Sequence, residues 1–80
     1  MELTDFVKNF ASQFEETVAD LFTAQTKFKD LEEWSSLLSL SIIAMVDEEY
    51  DVAIKGDNIR NAETIEDIFK MVEFKKSNHV

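Results

Sequence analysis

The sequence predicts an all-α fold: a small antiparallel four-helix bundle of three main helices and one short helix, with a long first loop. Three observations predict it. The chain has no Pro and a single Gly, Gly56. All-β folds need many such turn residues, whereas helix interiors avoid both. Apolar residues recur at helical rather than alternating spacing. Hydrophobic residues make up 45% of the chain and seven residues are Phe, which is too apolar for a chain held unfolded by charge.

The elements follow in order. Leu3, Phe6, Val7, Phe10, Phe14 and Val18 are spaced i, i+3, i+4, i+7, i+11 and onward. That is one stripe of an α-helix and predicts a helix over 3–17. Glu2 and Asp5 suit the positive end of its dipole. Residues 19–35 have weak periodicity and read as a long loop, anchored to the core by Phe28 and Leu31. Loops of this length in a small domain tend to be functional. Ser35-Ser36 then opens a second helix, and either hydroxyl can cap its first turn. Trp34, just before it, is expected to pack as a hydrophobic staple. Leu37, Leu40, Ile43, Val46 and Tyr50 form the main apolar stripe, which Leu38, Ile42 and Met45 widen around most of the helix. Such a helix is expected at the centre, buried on several sides.

Val52 and Ile54 alternate as an extended connection. Lys55-Gly56-Asp57-Asn58 is the clearest turn, with a short helix over 57–61. Thr64 starts the last helix. Thr64-Ile65-Glu66-Asp67 resembles a capping box with Asp in place of Glu. Ile65, Ile68, Phe69 and Val72 give its core stripe, and Lys70, Lys75 and Lys76 sit near its end, where cations are favoured. The chain reads as one domain over 1–80, with a core of about 3–75 and a frayed tail, 76–80.

Composition then limits function. Eight basic and seventeen acidic residues leave a net charge of −9. That argues against nucleic-acid binding, which needs clustered Lys and Arg, and against an anionic membrane surface. With no Cys, thiolate metal sites and a Cys nucleophile are absent. The single His, His79, lies in the tail. Residues 1–10 show no signal-peptide pattern. The longest apolar stretch, 37–46, is too short to span a bilayer. The expectation is a soluble, cytoplasmic, monomeric protein that is not an enzyme.

The charge is localised. Residues 30–67 hold eleven acids against two bases, Lys55 and Arg60, so the whole excess lies there. A localised excess suggests a partner-facing region, with a merely solvated face as the alternative. Asp47, Glu48, Glu49 and Asp51 crowd the C-terminal end of the second helix, the wrong end for negative charge. A broken local rule marks a candidate site. An EF-hand does not fit: the sixth and twelfth positions from Asp47 are Val52 and Asn58, where Gly and Glu are required.

Ser35 and Ser36 are the second feature. One reading is a helix cap. The other is a hydroxyl held for phosphoryl attachment, because free N–H groups and positive potential at a helix N-terminus stabilise a phosphodiester. Both hold if one Ser caps and the other is exposed. A Ser-His-Asp set cannot be built from one tail His, so a separate enzyme would have to activate the hydroxyl.

The run Phe28-Lys29-Asp30-Leu31-Glu32-Glu33-Trp34-Ser35-Ser36-Leu37 resembles the stretch of the acyl carrier protein family that ends in Asp-Ser-Leu, with Phe eight residues before the Ser. The later order also resembles it: a Ser-initiated apolar helix, an acidic helix end, Tyr50-Asp51-Val52-Ala53-Ile54, a short helix, then Thr64-Ile65. The resemblance covers roughly 3–73. It implies a four-helix carrier in which Ser36 bears 4′-phosphopantetheine, transferred from coenzyme A by a phosphopantetheinyl transferase using Mg²⁺. The arm's thiol would hold acyl intermediates as thioesters, in fatty-acid-like or polyketide-type biosynthesis. The chain departs from the family pattern at Ser35 (Asp), at Leu38 and Ser41 (often acids) and at Glu33 (Gly), which leaves the Ser36 end neutral. The implied docking face combines Leu37, Leu40 and Ala44 with Asp47, Glu48, Glu49 and Asp51, set against basic patches on acyl-loading and acyl-processing enzymes. The competing readings are an acidic interaction module without a covalent group and a divalent-ion-binding helical protein.

Overall fold

The structure is a computed structural model and describes residues 2–77. It holds four α-helices: α1 (Leu3–Ala11), α2 (Ser36–Tyr50), α3 (Gly56–Asn61) and α4 (Ile65–Ser77). There is no strand among the described residues. Helix α1 packs against α4 and α2, and α3 closes the bundle against α2 and α4. The all-α bundle predicted from turn-residue scarcity and apolar spacing is the observed architecture.

Six of the seven Phe are buried: Phe6, Phe10, Phe14, Phe22, Phe28 and Phe69. Their rings form one connected network. Phe6 contacts Phe10, Phe69 and Tyr50, with centroids 6.4, 5.5 and 5.4 Å away. Phe10 meets Phe28 edge-on at 5.2 Å and stacks near Phe14 at 6.0 Å. Phe14 passes the contact to Phe22 at 4.8 Å. Such pairs add about 0.5–1.5 kcal/mol each beyond their buried area.

Helix α1 is shorter than its stripe. It ends at Ala11 rather than near 17. The next N–H groups turn tighter, from Gln13 to Phe10 O at 3.2 Å and from Phe14 to Ala11 O at 3.0 Å. Those of residues 15–17 leave the helix altogether for the Glu33 carboxylate. Phe14 stays buried, but Val18 is 60% exposed. The connection to α2 therefore begins at residue 12, and it contains 3-10 turns at Ala19–Leu21 and Phe28–Asp30. Phe28 anchors it as expected, fully buried, and Leu31 packs against the core. The loop also caps α4. Thr26 O accepts from Ile65 N at 3.2 Å and Ala24 O accepts from Glu66 N at 2.9 Å, satisfying donors that a helix leaves free at its start.

Trp34 is not a staple onto α2. The position it would meet one turn into the helix is Ser39, and its ring instead lies against Phe28 at 5.0 Å and Phe14 at 6.2 Å. Helix α2 is less enclosed than its composition predicts. Its buried residues are Leu38, Ile42, Met45 and Val46. Leu37 and Leu40 from the expected main stripe are 72% and 63% exposed, and Ile43 and Tyr50 are half-buried. Its neighbours cover one side only.

Val52 and Ile54 are buried in the extended connection. The turn at 55–58 becomes the start of α3, where Asn58 Oδ1 accepts from Lys55 N at 2.8 Å. The capping box of α4 forms as predicted. Thr64 Oγ1 accepts from Asp67 N at 3.2 Å, and Asp67 Oδ2 accepts from Thr64 N at 3.0 Å and Glu63 N at 2.9 Å. These donors, led by Glu63 N–H, hold the Asp67 carboxyl below its usual value. Ile65, Ile68, Phe69 and Val72 are buried as expected. Helix α4 runs on to Ser77, so Lys76 belongs to the helix and not to a tail. His79 and the rest of 78–80 lie outside the described residues.

Phe10→Ala removes the ring that joins α1 to the loop and should cost about 3–5 kcal/mol. Urea unfolding should show a chain that is marginal or unfolded at 25 °C. Thr64→Ala removes one half of the α4 cap and should lower stability by about 1 kcal/mol in the same measurement.

Candidate functional site

The two serines divide the roles that either could have taken. Ser35 is the N-cap of α2, extended at φ −157° and ψ 171°, and its Oγ accepts from Leu38 N at 3.3 Å. Ser36 is the first helical residue and is exposed. Its hydroxyl is therefore left over from capping, at the positive end of a helix of 15 residues.

Ser36 borders an open groove of about 620 Å³ between α2 and α3. Trp34, Ile43 and Ile59 supply apolar walls, and Lys29 and Arg60 supply the rim. Lys29 Nζ donates to Arg60 O at 2.8 Å, which ties the loop to α3. The Arg60 guanidinium pairs with Asp57. The groove thus brings together an exposed hydroxyl, two cations already tied to neighbouring groups, and apolar walls. Spacing could not reveal Lys29 and Arg60 as neighbours of Ser36, because they come from the loop and from α3.

The other flank is acidic. Glu15, Glu16 and Glu33 line a second groove with Ser35, Leu37 and Ser41. The Ser36 end, neutral when read along α2, is thus bordered by acids that the fold brings from residues 15–16 and from Glu33. Burial pushes the Glu33 carboxyl upward, but the N–H groups of Glu15, Thr17 and Glu16 and the Thr17 hydroxyl outweigh it and hold the group below its ordinary value.

Along α2, Leu37, Leu40, Ala44, Asp47 and Glu48 are all exposed. At 3.6 residues per turn they lie on one face, apolar first and acidic later. Glu49 is exposed too but falls on the opposite side of the helix. Asp51 terminates α2 in the left-handed conformation, φ 57° and ψ 40°, the one positive φ among the described non-glycine residues. The helix has no basic residue in its own last turn, and α4 supplies the cations. Lys76 Nζ donates to Tyr50 O at 2.9 Å, and Lys75 and Lys76 share a groove with Asp47 and Asp51. The misplaced charge at this helix end is therefore partly offset across the bundle.

Among the described residues no three acids or histidines converge where a metal could be held, so the divalent-ion reading finds no ligand set there. No helix among them is long and apolar enough to cross a membrane. No buried side-chain nitrogen or oxygen among them lacks a hydrogen-bond partner. In comparison with known proteins, the chain matches no family model, no curated protein and no solved structure.

Asp51→Gly should raise stability by up to about 1 kcal/mol in urea unfolding. It relieves the left-handed backbone cost and removes an acid from a helix C-terminus.

Proposed function

We propose that this chain is a non-catalytic carrier domain that bears 4′-phosphopantetheine on Ser36 and presents acyl thioesters to partner enzymes. The observation that carries the reading is the division between the serines. Ser35 satisfies the helix cap and leaves the Ser36 hydroxyl exposed at a groove with cations on its rim and apolar walls. The resemblance of residues 28–37 to the acyl carrier motif points to the same serine. When attached, the group supplies a thiol, the one nucleophile that this Cys-free chain lacks. Lys29 and Arg60 would pair its phosphate, and Trp34, Ile43 and Ile59 would border the arm. A phosphopantetheinyl transferase would install it. Acyl-loading and acyl-processing enzymes with basic patches would dock on Leu37, Leu40, Ala44, Asp47 and Glu48. Of the other acids, Glu49 falls on the opposite side of the helix, and Asp51 is its left-handed terminus; Asp47 borders both the docking face and the groove of Lys75 and Lys76.

A second reading is favoured by the same exposed face of α2: an acidic interaction module with no covalent group. An apolar half followed by an acidic half is sufficient to bind a basic partner groove.

One experiment separates them. The protein is incubated with coenzyme A, Mg²⁺ and a promiscuous transferase, and its intact mass is measured. The carrier reading expects one phosphopantetheinyl group on the wild type and none on Ser36→Ala. Ser35→Ala should still be modified, while losing about 1 kcal/mol of stability with its cap. A folded wild type that gains no mass leaves the interaction module as the reading. Labelling of Ser36→Ala would move the site to another serine.

A further inference from the structure

The apolar stripe of α1 does not stop where α1 stops. Phe14 and Val18 continue its spacing, yet the helix ends at Ala11 and Val18 is left exposed. In an uninterrupted helix the N–H groups of Glu15, Glu16 and Thr17 would bond the carbonyls of Ala11, Ser12 and Gln13. All three go instead to one carboxylate. Glu33 Oε2 accepts from Glu15 N at 2.8 Å, and Oε1 accepts from Glu16 N at 3.1 Å and Thr17 N at 2.8 Å. The Thr17 hydroxyl adds a fourth bond, also to Oε1, at 2.8 Å.

We propose that Glu33 is a latch that holds residues 12–17 out of α1, and that opening it lengthens α1 toward Thr17. The three backbone bonds compete one for one with helical bonds, so neither arrangement leaves those donors unpaired. Residues 3–18 contain no Gly or Pro to forbid the longer helix. Phe14 lies four residues after Phe10 and would keep its place on the core face, while Val18 would join it one turn later.

The latch bears on the second groove. Glu15 and Glu16 are the titratable side chains lining it beside Glu33, and no base lines it. Helix α2 has no acid in its own first turn, so the closed latch is what keeps these two beside Ser35 and Leu37. A carboxylate accepts such bonds strongly only while ionised. The Glu33 carboxyl titrates below its ordinary value in the folded chain because these donors outweigh its partial burial. Its contribution is therefore complete at neutral pH and is lost as pH falls through that lowered value.

Backbone NMR of the full chain tests this. In Glu33→Gln at neutral pH, residues 12–17 should take helical Cα shifts that the wild type lacks. In the wild type, the same shifts should grow as pH falls, with the midpoint of the Glu33 side-chain carboxyl resonance. Thr17→Val, which removes only the fourth bond, should raise that midpoint toward the ordinary glutamate value and serves if Glu33→Gln does not fold. Unchanged shifts at 12–17 in a folded Glu33→Gln would overturn the proposal. So would coil-like shifts with lost exchange protection, because the segment would then come loose without lengthening α1. A wild-type transition that does not follow the Glu33 resonance would overturn it as well.

Discussion

The connected aromatic core is the constraint on which the rest of the structure depends. Helix α1 has nine residues and α3 has six, and helices that short do not persist alone in water. Phe6 and Phe10 fix α1 by contacting Tyr50 of α2, Phe69 of α4 and Phe28 of the loop. Phe14 and Phe28 then hold Trp34 from two directions. Because Trp34 directly precedes Ser35, this ring contact also sets where α2 begins. The position of the candidate attachment serine is thus a consequence of packing some distance away in the chain.

Backbone capping completes what the rings begin. The long connection stays ordered because its own backbone groups are used. Glu33 collects the donors of residues 15–17, and the carbonyls of Ala24 and Thr26 serve the first turn of α4. At the other end of the bundle, Lys76 serves the Tyr50 carbonyl at the end of α2. Each of these bonds joins segments far apart in sequence, so the loop acts as a brace between helices.

The charge pattern changes meaning in three dimensions. The sequence shows an acid excess over residues 30–67 and a neutral stretch around Ser36. The fold places Lys29 and Arg60 on one side of that serine and Glu15, Glu16 and Glu33 on the other. It also sets Lys75 and Lys76 beside Asp47 and Asp51. Within the acid cluster at the end of α2, Glu48 therefore continues the exposed apolar face, while Asp51 serves chiefly as the helix terminus.

Local signals determined a good deal by themselves. The class, the four helices in order, the Thr64 cap, the α4 stripe, the extended connection at Val52 and Ile54, and the anchoring of Phe28 all follow from spacing and capping chemistry, which act within a few residues. Tertiary structure decided the rest. Spacing shows that Leu37, Leu38, Leu40 and Ile42 are apolar, but the side of α2 that meets neighbours depends on where α3 and α4 lie. It likewise shows a helix to Thr17, because nothing local reveals that Glu33 will take the N–H groups of residues 15–17. The choice between Ser35 and Ser36 was open for the same reason: both can cap a helix in isolation, and the anchoring of Trp34 fixes the register in which Ser35 does so and Ser36 is left exposed.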